Sequence, residues 1–230
     1  MAEEFFLKKL KKSEFNIKQI KGQTKDRLES GAFDEIINDI KKDKRHLSAL
    51  IAISYDKTSE VAWRAIHLAG KVIGQLAVDN FAEARGQMQR LLWNMSDESG
   101  TIPWTVPEIM GEAIRENPKP FEDIVPILIG YSHSETEDNI FLAGVIYAIG
   151  RIGELHPQYT GGEAHEIVRQ GYCHRDPEVV ANAVIAAKRL SISGIELGAQ
   201  PQTDEQVRVY YNDKLLTITV GELQRLVENG

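Results

Sequence analysis

Through the middle of the chain apolar residues recur at intervals of three and four, interrupted by short stretches rich in Asp, Ser, Gly and Pro. That period predicts amphipathic helices over 33–42, 45–55, 59–78, 80–96, 105–117, 120–132, 138–154, 162–172 and 177–190, with connections short enough to set neighbours antiparallel. After Leu190 the pattern dissolves into SISGIELGAQPQTDEQ, a linker over about residues 193–206. The C-terminal segment VRVYYNDKLLTITVGELQRLVENG alternates β-branched and aromatic residues around Asn212-Asp213 and predicts a hairpin. Thr219 with Glu222 three positions later forms a capping-box pattern for a last helix carrying Leu223, Leu226 and Val227. A two-stranded hairpin with one helix is too small to be stable alone, so residues 207–230 are expected to pack on the helices or on a second copy of the chain as a homodimer.

Sliding the chain against itself exposes a repeat. Asp56, Trp63 and Gly70 align with Asp97, Trp104 and Gly111 at a shift of 41, and further copies begin at Asp138, with Gly150, and at Asp176. A period near 40 with two helices per unit belongs to stacked helix pairs. Small residues such as Ala69, Gly70, Ala143, Gly144, Gly150, Gly153, Ala183 and Ala186 would let those helices approach closely. The four aspartates sit where a carboxylate can cap the next helix.

The segments PFEDIVPILIGYSHSETEDNIFLAGVIYAIGRIG and EIVRQGYCHRDPEVVANAVIAAKRL resemble HEAT-like repeats, in particular the short bacterial kind of the phycobilisome lyases. The resemblance spans roughly 33–190 and is closest over 120–190. It implies an all-α fold, a right-handed α-α superhelix (a HEAT/armadillo-like solenoid), here with a small C-terminal β-hairpin plus helix. The expected divisions are a basic amphipathic arm over 1–22, the repeat region over 23–192, the linker, and the tail. It implies little about activity, because lyases, hydroxylases, glycosylases and adaptors share that scaffold.

Composition narrows the classes further. With 230 residues, 42% hydrophobic content, one cysteine and a net charge of −7, the chain can bury a core without disulfides or metal, and a cytoplasmic location is expected. No apolar run approaches the ~20 residues of a membrane span, and residues 1–22, with Phe5, Phe6, Leu10 and Phe15 among lysines, are expected to cover a helix pair rather than a membrane. The charge is uneven: residues 1–50 hold 12 Lys and Arg against 9 Asp and Glu, and residues 51–230 hold 15 against 25. Between Met95 and Ile140 stand ten acids, offset by Arg115 and Lys119 alone. Such a stretch repels nucleic acid and favours a protein partner with a basic or cationic surface.

The most unusual segment is LWNMSDESGTIPWTVPE, residues 92–108. Pro103 and Pro107 delay helix entry to about Thr105 and leave Trp104 on a connection, where binding residues concentrate on rigid scaffolds. Trp93, Asp97, Glu98, Ser99, Trp104 and Glu108 are therefore the candidate binding residues, two indoles beside carboxylates that suit a cation or polar ligand. The competing structural reading makes both tryptophans core residues that lock an enlarged turn. The Trp93, Asp97, Trp104 grouping also resembles the alkylation-damage DNA glycosylases of the HEAT-like fold, but the acidic surroundings argue against a duplex track.

Other chemistry is thinly represented. Cys173 and His174 are adjacent and do not face each other as a nucleophile and base would, so a buried or inert thiol is expected. His165-Glu166 is one pair where di-iron HEAT-like hydroxylases use several. Metal binding by His133, His156, His165 and His174 would need tertiary convergence, and Gly161-Gly162 lacks the context of a phosphate loop. The expectation is a non-enzymatic interaction scaffold or adaptor without catalytic residues, metal or cofactor, binding through an acidic ridge centred on 93–108. The alternative is a small-molecule-handling lyase or chaperone-like protein of the phycobilisome-lyase type using the same segment.

Overall fold

A computed structural model describes residues 17–96, 104–133, 139–193 and 204–229. Helix α1 covers 17–30, followed by α2 (Phe33–Lys42), α3 (Arg45–Ile53), α4 (Glu60–Asp79), α5 (Phe81–Ser96) and α6 (Val106–Glu116). Next come α7 (Val125–Gly130), α8 (Leu142–Leu155), α9 (Gly162–Gly171), α10 (Pro177–Arg189), strands β1 (Gln206–Tyr211) and β2 (Lys214–Thr219), and α11 (Val220–Asn229). The protein is thus mostly helical with a small antiparallel sheet near its C-terminus. Among the described residues no helix is long and apolar enough to cross a membrane.

Two departures from the sequence pattern have clear causes. The helix expected over 120–132 is broken into a 3₁₀ turn (Lys119–Phe121), α7 and a second 3₁₀ turn (Tyr131–His133). Pro120 and Pro126 lack the amide that a helix interior needs and are tolerated only in a first turn, so each restarts the chain. The expected boundary at residue 22 does not interrupt α1, which buries Ile20, Thr24 and Leu28 on one face. Gly31, at φ 77°, ends α1 with the amide of Ala32 donating to the Arg27 carbonyl, a Schellman closure that only a residue at home in the left-handed region makes cheaply. Residues 1–16 of the expected arm lie outside the described residues.

Contacts divide the chain into two compact units, one up to Ala69 and one from Gly70 onward, so the boundary falls within α4. In the first, Leu28, Ile36, Leu50, Ala65 and Ile66 are fully or almost fully buried, and the Arg64 guanidinium donates to the Leu28 carbonyl (2.9 Å) at the end of α1. Arg27 joins α1 to α2 through Asp39 and Glu35.

In the second unit α8 packs against both α6 and α10, and the repeat glycines mark the seams. A methyl group at Gly111 would lie 2.6 Å from Ala148 Cβ, and one at Gly150 would lie 2.9 Å from Ala186 Cβ. One at Gly70 would lie 2.9 Å from both the Ile109 carbonyl and the Ala113 amide. Each glycine therefore lets a helix backbone reach van der Waals contact with the next. The aspartates act less uniformly. Asp176 caps α10 by accepting from the Glu178 amide (2.8 Å). At α4 that role falls to Ser59, which accepts from Ala62 (3.2 Å), while Asp56 holds the preceding turn through Thr58. Asp97 and Asp138 lie outside the described residues.

The tail packs on α10 within the same unit. Asn212 and Asp213 both take positive φ (48° and 60°), the two-residue turn that matches strand twist. Val207, Val209 and Tyr210 of β1 and Val220, Leu223 and Val227 of α11 are buried. Thr219 and Glu222 form the reciprocal box, the Glu222 amide donating to Thr219 Oγ1 (3.2 Å) and the Thr219 amide to Glu222 Oε2 (3.0 Å).

The seam geometry sets an expected pair of outcomes in urea unfolding. Gly111→Ala forces α6 from α8 and lowers stability by about 1–3 kcal/mol. Gly86→Ala, in open space on α5, raises it by about 0.5–1 kcal/mol through helix propensity alone.

Candidate functional site

Helix α5 buries Ala84, Met88, Leu91 and Met95, spaced four, three and four apart. Trp93 falls off that face and is 74% exposed, and Trp104, just before α6, is 58% exposed. Neither indole is therefore a core residue. The matching repeat position, Trp63, is the opposite case: it is 5% exposed and its Nε1 donates to the Lys57 carbonyl (3.1 Å). Asp97, Glu98 and Ser99 lie outside the described residues.

Glu108 belongs elsewhere. It is 1% exposed, and a methyl group on Gly144 of α8 would meet its carboxylate at 2.6 Å. The absence of a side chain at Gly144 makes room for that carboxylate, so Glu108 is an inward-facing residue of the α6–α8 seam rather than part of an exposed binding set. The acidic ridge is reduced in the same way. Of its described members, Glu112 is buried, Glu116 accepts from Gln75 (3.0 Å), Glu122 pairs with Lys119 (2.9 Å), and Asp123 meets Arg85 through two bonds (2.6 and 2.8 Å). The Arg85 guanidinium holds the Asp123 carboxyl below the usual range. Helix-surface spacing alone made these acids look free.

Sequence reasoning missed a polar cluster in the α6–α8–α10 seam. Glu112 Oε1 accepts from Tyr147 Oη (2.7 Å) and Arg151 Nε (2.5 Å), and its Oε2 accepts from Arg151 Nη2 (3.0 Å). Arg151 Nη1 reaches Glu154 (3.1 Å), and Arg115 Nε stands 3.6 Å from the same carboxylate. Arg189 lies over the Tyr147 ring, 5.7 Å from its centroid. Burial, then the Glu112 charge, pushes the Tyr147 hydroxyl well up, so it remains a donor at neutral pH. Burial opposes the charge of Arg151, but Tyr147, Glu112 and Glu154 together outweigh it and raise its pKa. Arg189 is shifted down, chiefly by burial. The signal for this cluster was present in the chain: a charged residue follows each repeat glycine at Lys71, Glu112 and Arg151, and Arg189 stands 38 residues after Arg151, the same step as Asp138 to Asp176.

The remaining candidates separate. Cys173 is exposed, not buried. His174 Nδ1 accepts from the Asp176 amide (3.1 Å), which fixes the other ring nitrogen as the protonated one in the neutral ring. His174 and His133 line a small cavity of about 110 Å³ between α8 and α9, with His133 3.1 Å from Glu163. His156 instead bonds the Arg115 carbonyl (2.9 Å). Among the described residues no three His, Cys, Asp or Glu side chains converge as metal ligands.

The buried cluster gives a direct test by substitution and chemical denaturation. Arg151→Met leaves Glu112 charged in the seam and costs about 3–5 kcal/mol, whereas Glu112→Gln combined with Arg151→Met recovers most of that loss because no bare charge remains. Tyr147→Phe costs about 1–3 kcal/mol, the value of a buried bond to a charged acceptor.

Comparison of the chain with protein-family models, characterised proteins and solved structures gives no match, and the ground for a functional reading is the geometry of α5, α6, α8 and α10.

Proposed function

We propose that the protein is a cytoplasmic interaction scaffold of the HEAT-like kind, a right-handed stack of helix pairs that binds a protein partner through Trp93 and Trp104. The observation that carries this reading is the difference between equivalent tryptophans: Trp63 is 5% exposed, while Trp104 is 58% exposed and Trp93, before the same connection, 74%. Core packing accounts for the first indole and not for the other two. Large aromatic side chains left in water on a rigid helical frame are the anchors of protein interfaces. An exposed indole face also receives a guanidinium or ammonium group, which suits a basic partner. Among the described acids of the ridge, Glu108 and Glu112 are buried and Glu122 and Asp123 already pair with Lys119 and Arg85, so the indoles carry the reading.

The HEAT-like reading draws support from the seams. Gly111 against Ala148 and Gly150 against Ala186 repeat one contact at steps close to those of the sequence repeat, and Gly70 lies against Glu112 and the Ala113 backbone one repeat earlier. Trp93 stands on α5, and Trp104 stands in the turn that leads into α6, two residues before its start.

Affinity capture from native lysate with the full chain tests the reading. Partners retained by the wild-type protein are expected to fall at least about tenfold with Trp93→Ser/Trp104→Ser, to persist with Trp93→Phe, and to do so at unchanged melting temperature. Recovery of the same proteins in equal amounts by the double variant removes the two indoles as the binding surface.

A further inference from the structure

The cavity of about 110 Å³ between α8 and α9 gathers four hydrogen-bonding side chains from separate segments: Ser132 and His133 of the 3₁₀ turn, Gln170 near the end of α9, and His174 of the turn after it. Leu142 of α8 and Ile167 of α9 give it an apolar side. The bonds these residues already make fix what each has left to offer. His174 Nδ1 accepts from the Asp176 amide (3.1 Å), so the neutral ring carries its proton on Nε2, which is then a donor and neither a metal ligand nor a base. His133 Nε2 stands 3.1 Å from Glu163 Oε1, and because a carboxylate only accepts, the proton is on Nε2 and the neutral ring keeps Nδ1 as an acceptor. Gln170 donates from Nε2 to Glu166 (3.2 Å), which orients its amide and leaves Oε1 as an acceptor. The Ser132 hydroxyl is buried and makes no hydrogen bond, a condition that protein interiors rarely leave unmet.

The lining thus holds one N–H donor, one hydroxyl that serves either way, and two acceptors. Such a set selects a group that both accepts and donates. A carboxylate or phosphate presents acceptors to the His133 and Gln170 acceptors, and the charges bonded to those two residues, Glu163 and Glu166, are both negative. An ammonium group presents its donors to the His174 N–H. A carboxamide matches on both counts, its carbonyl oxygen suited to His174 and Ser132 and its N–H to His133 and Gln170. Size agrees: a benzene ring occupies a cavity of roughly 150 Å³, so 110 Å³ takes about four or five heavy atoms, an amide with its adjoining carbon against Leu142 and Ile167.

We propose that this cavity is a binding site for a neutral carboxamide group, carried by a small free amide or by the side chain of an asparagine or glutamine. The bound amide gives the Ser132 hydroxyl the partner it lacks within the fold. The site is separate from Trp93 and Trp104, which do not line it.

The full-length protein is titrated with acetamide at neutral pH, and in parallel with acetate and ethylammonium at matched ionic strength, following the ring-proton resonances of its six histidines by NMR. The expected result is a saturable shift of the His133 and His174 resonances with acetamide alone, at a Kd of about 1–10 mM for so small a ligand, while His46 and His67, which lie before Gly70, stay unmoved. A further arm with N-acetylglutamine N-methylamide separates the two sources: tighter binding than acetamide marks a protein side chain, and equal or weaker binding marks a small free amide. Ser132→Ala removes a hydroxyl that has no partner within the fold, so its melting temperature is expected not to fall, while its affinity for acetamide drops at least about threefold. His174→Phe is expected to weaken binding similarly, and Trp104→Ser to leave it unchanged. Absence of a saturable shift with acetamide, an equal response to acetate or ethylammonium, or undiminished binding in the Ser132→Ala protein overturns the proposal.

Discussion

Close backbone contact at glycine is the constraint on which the second unit depends. With Gly111 against Ala148 and Gly150 against Ala186, the axes of α6, α8 and α10 come near enough that only short side chains fit at the points of closest approach. Larger residues there would part the helices and open voids beside them. The same proximity governs the polar cluster. Glu112 accepts from both Tyr147 and Arg151 because α6 and α8 are held close, and at a wider spacing its carboxylate would meet water instead. The glycines thus set both the apolar packing and the electrostatics of the unit.

That dependence explains why acids adjacent in sequence end in different settings. Glu108 and Glu112 are four residues apart on α6 and share the face toward α8, so both are buried. Glu116, one turn further, reaches Gln75. Glu122 and Asp123 sit beyond the helix and pair at the surface with Lys119 and Arg85. Net charge describes how the chain meets solvent as a whole, whereas the setting of each acid depends on which helix face it occupies.

Most of the fold was legible because it rests on local rules. The three- and four-residue period fixed α2 to within its ends, Asn212-Asp213 fixed the hairpin, and Thr219 with Glu222 fixed the start of α11. The spacing predicts no helix over 17–30, where Lys18, Lys21 and Lys25 interrupt the apolar positions, although Gly31 marks the end of α1 and Ile20, Thr24 and Leu28 mark its buried face. The site was legible only in part. The odd spacing around Pro103 and Pro107 singled out Trp104, and Trp93 with it, but periodicity could not tell a buried carboxylate from an exposed one, and Glu108 was misplaced on that account. The charged residues that follow the repeat glycines mark the seam cluster only when one repeat is laid against the next, because Glu112 stands 35 and 39 residues before Tyr147 and Arg151.

The tail on α10 has a consequence for self-association. Every residue from Val179 to Ala187 is buried, so α10 has little free surface once α8, α9, β1 and α11 are in place. Stripped of the hairpin and α11, its outer side would present valine and alanine in the same small-residue pattern that joins one repeat to the next. Exposed apolar surface of that kind on a helix favours contact between copies of a chain, and head-to-tail contacts that do not close produce filaments. By covering that side of α10, the hairpin and α11 keep it from such contacts.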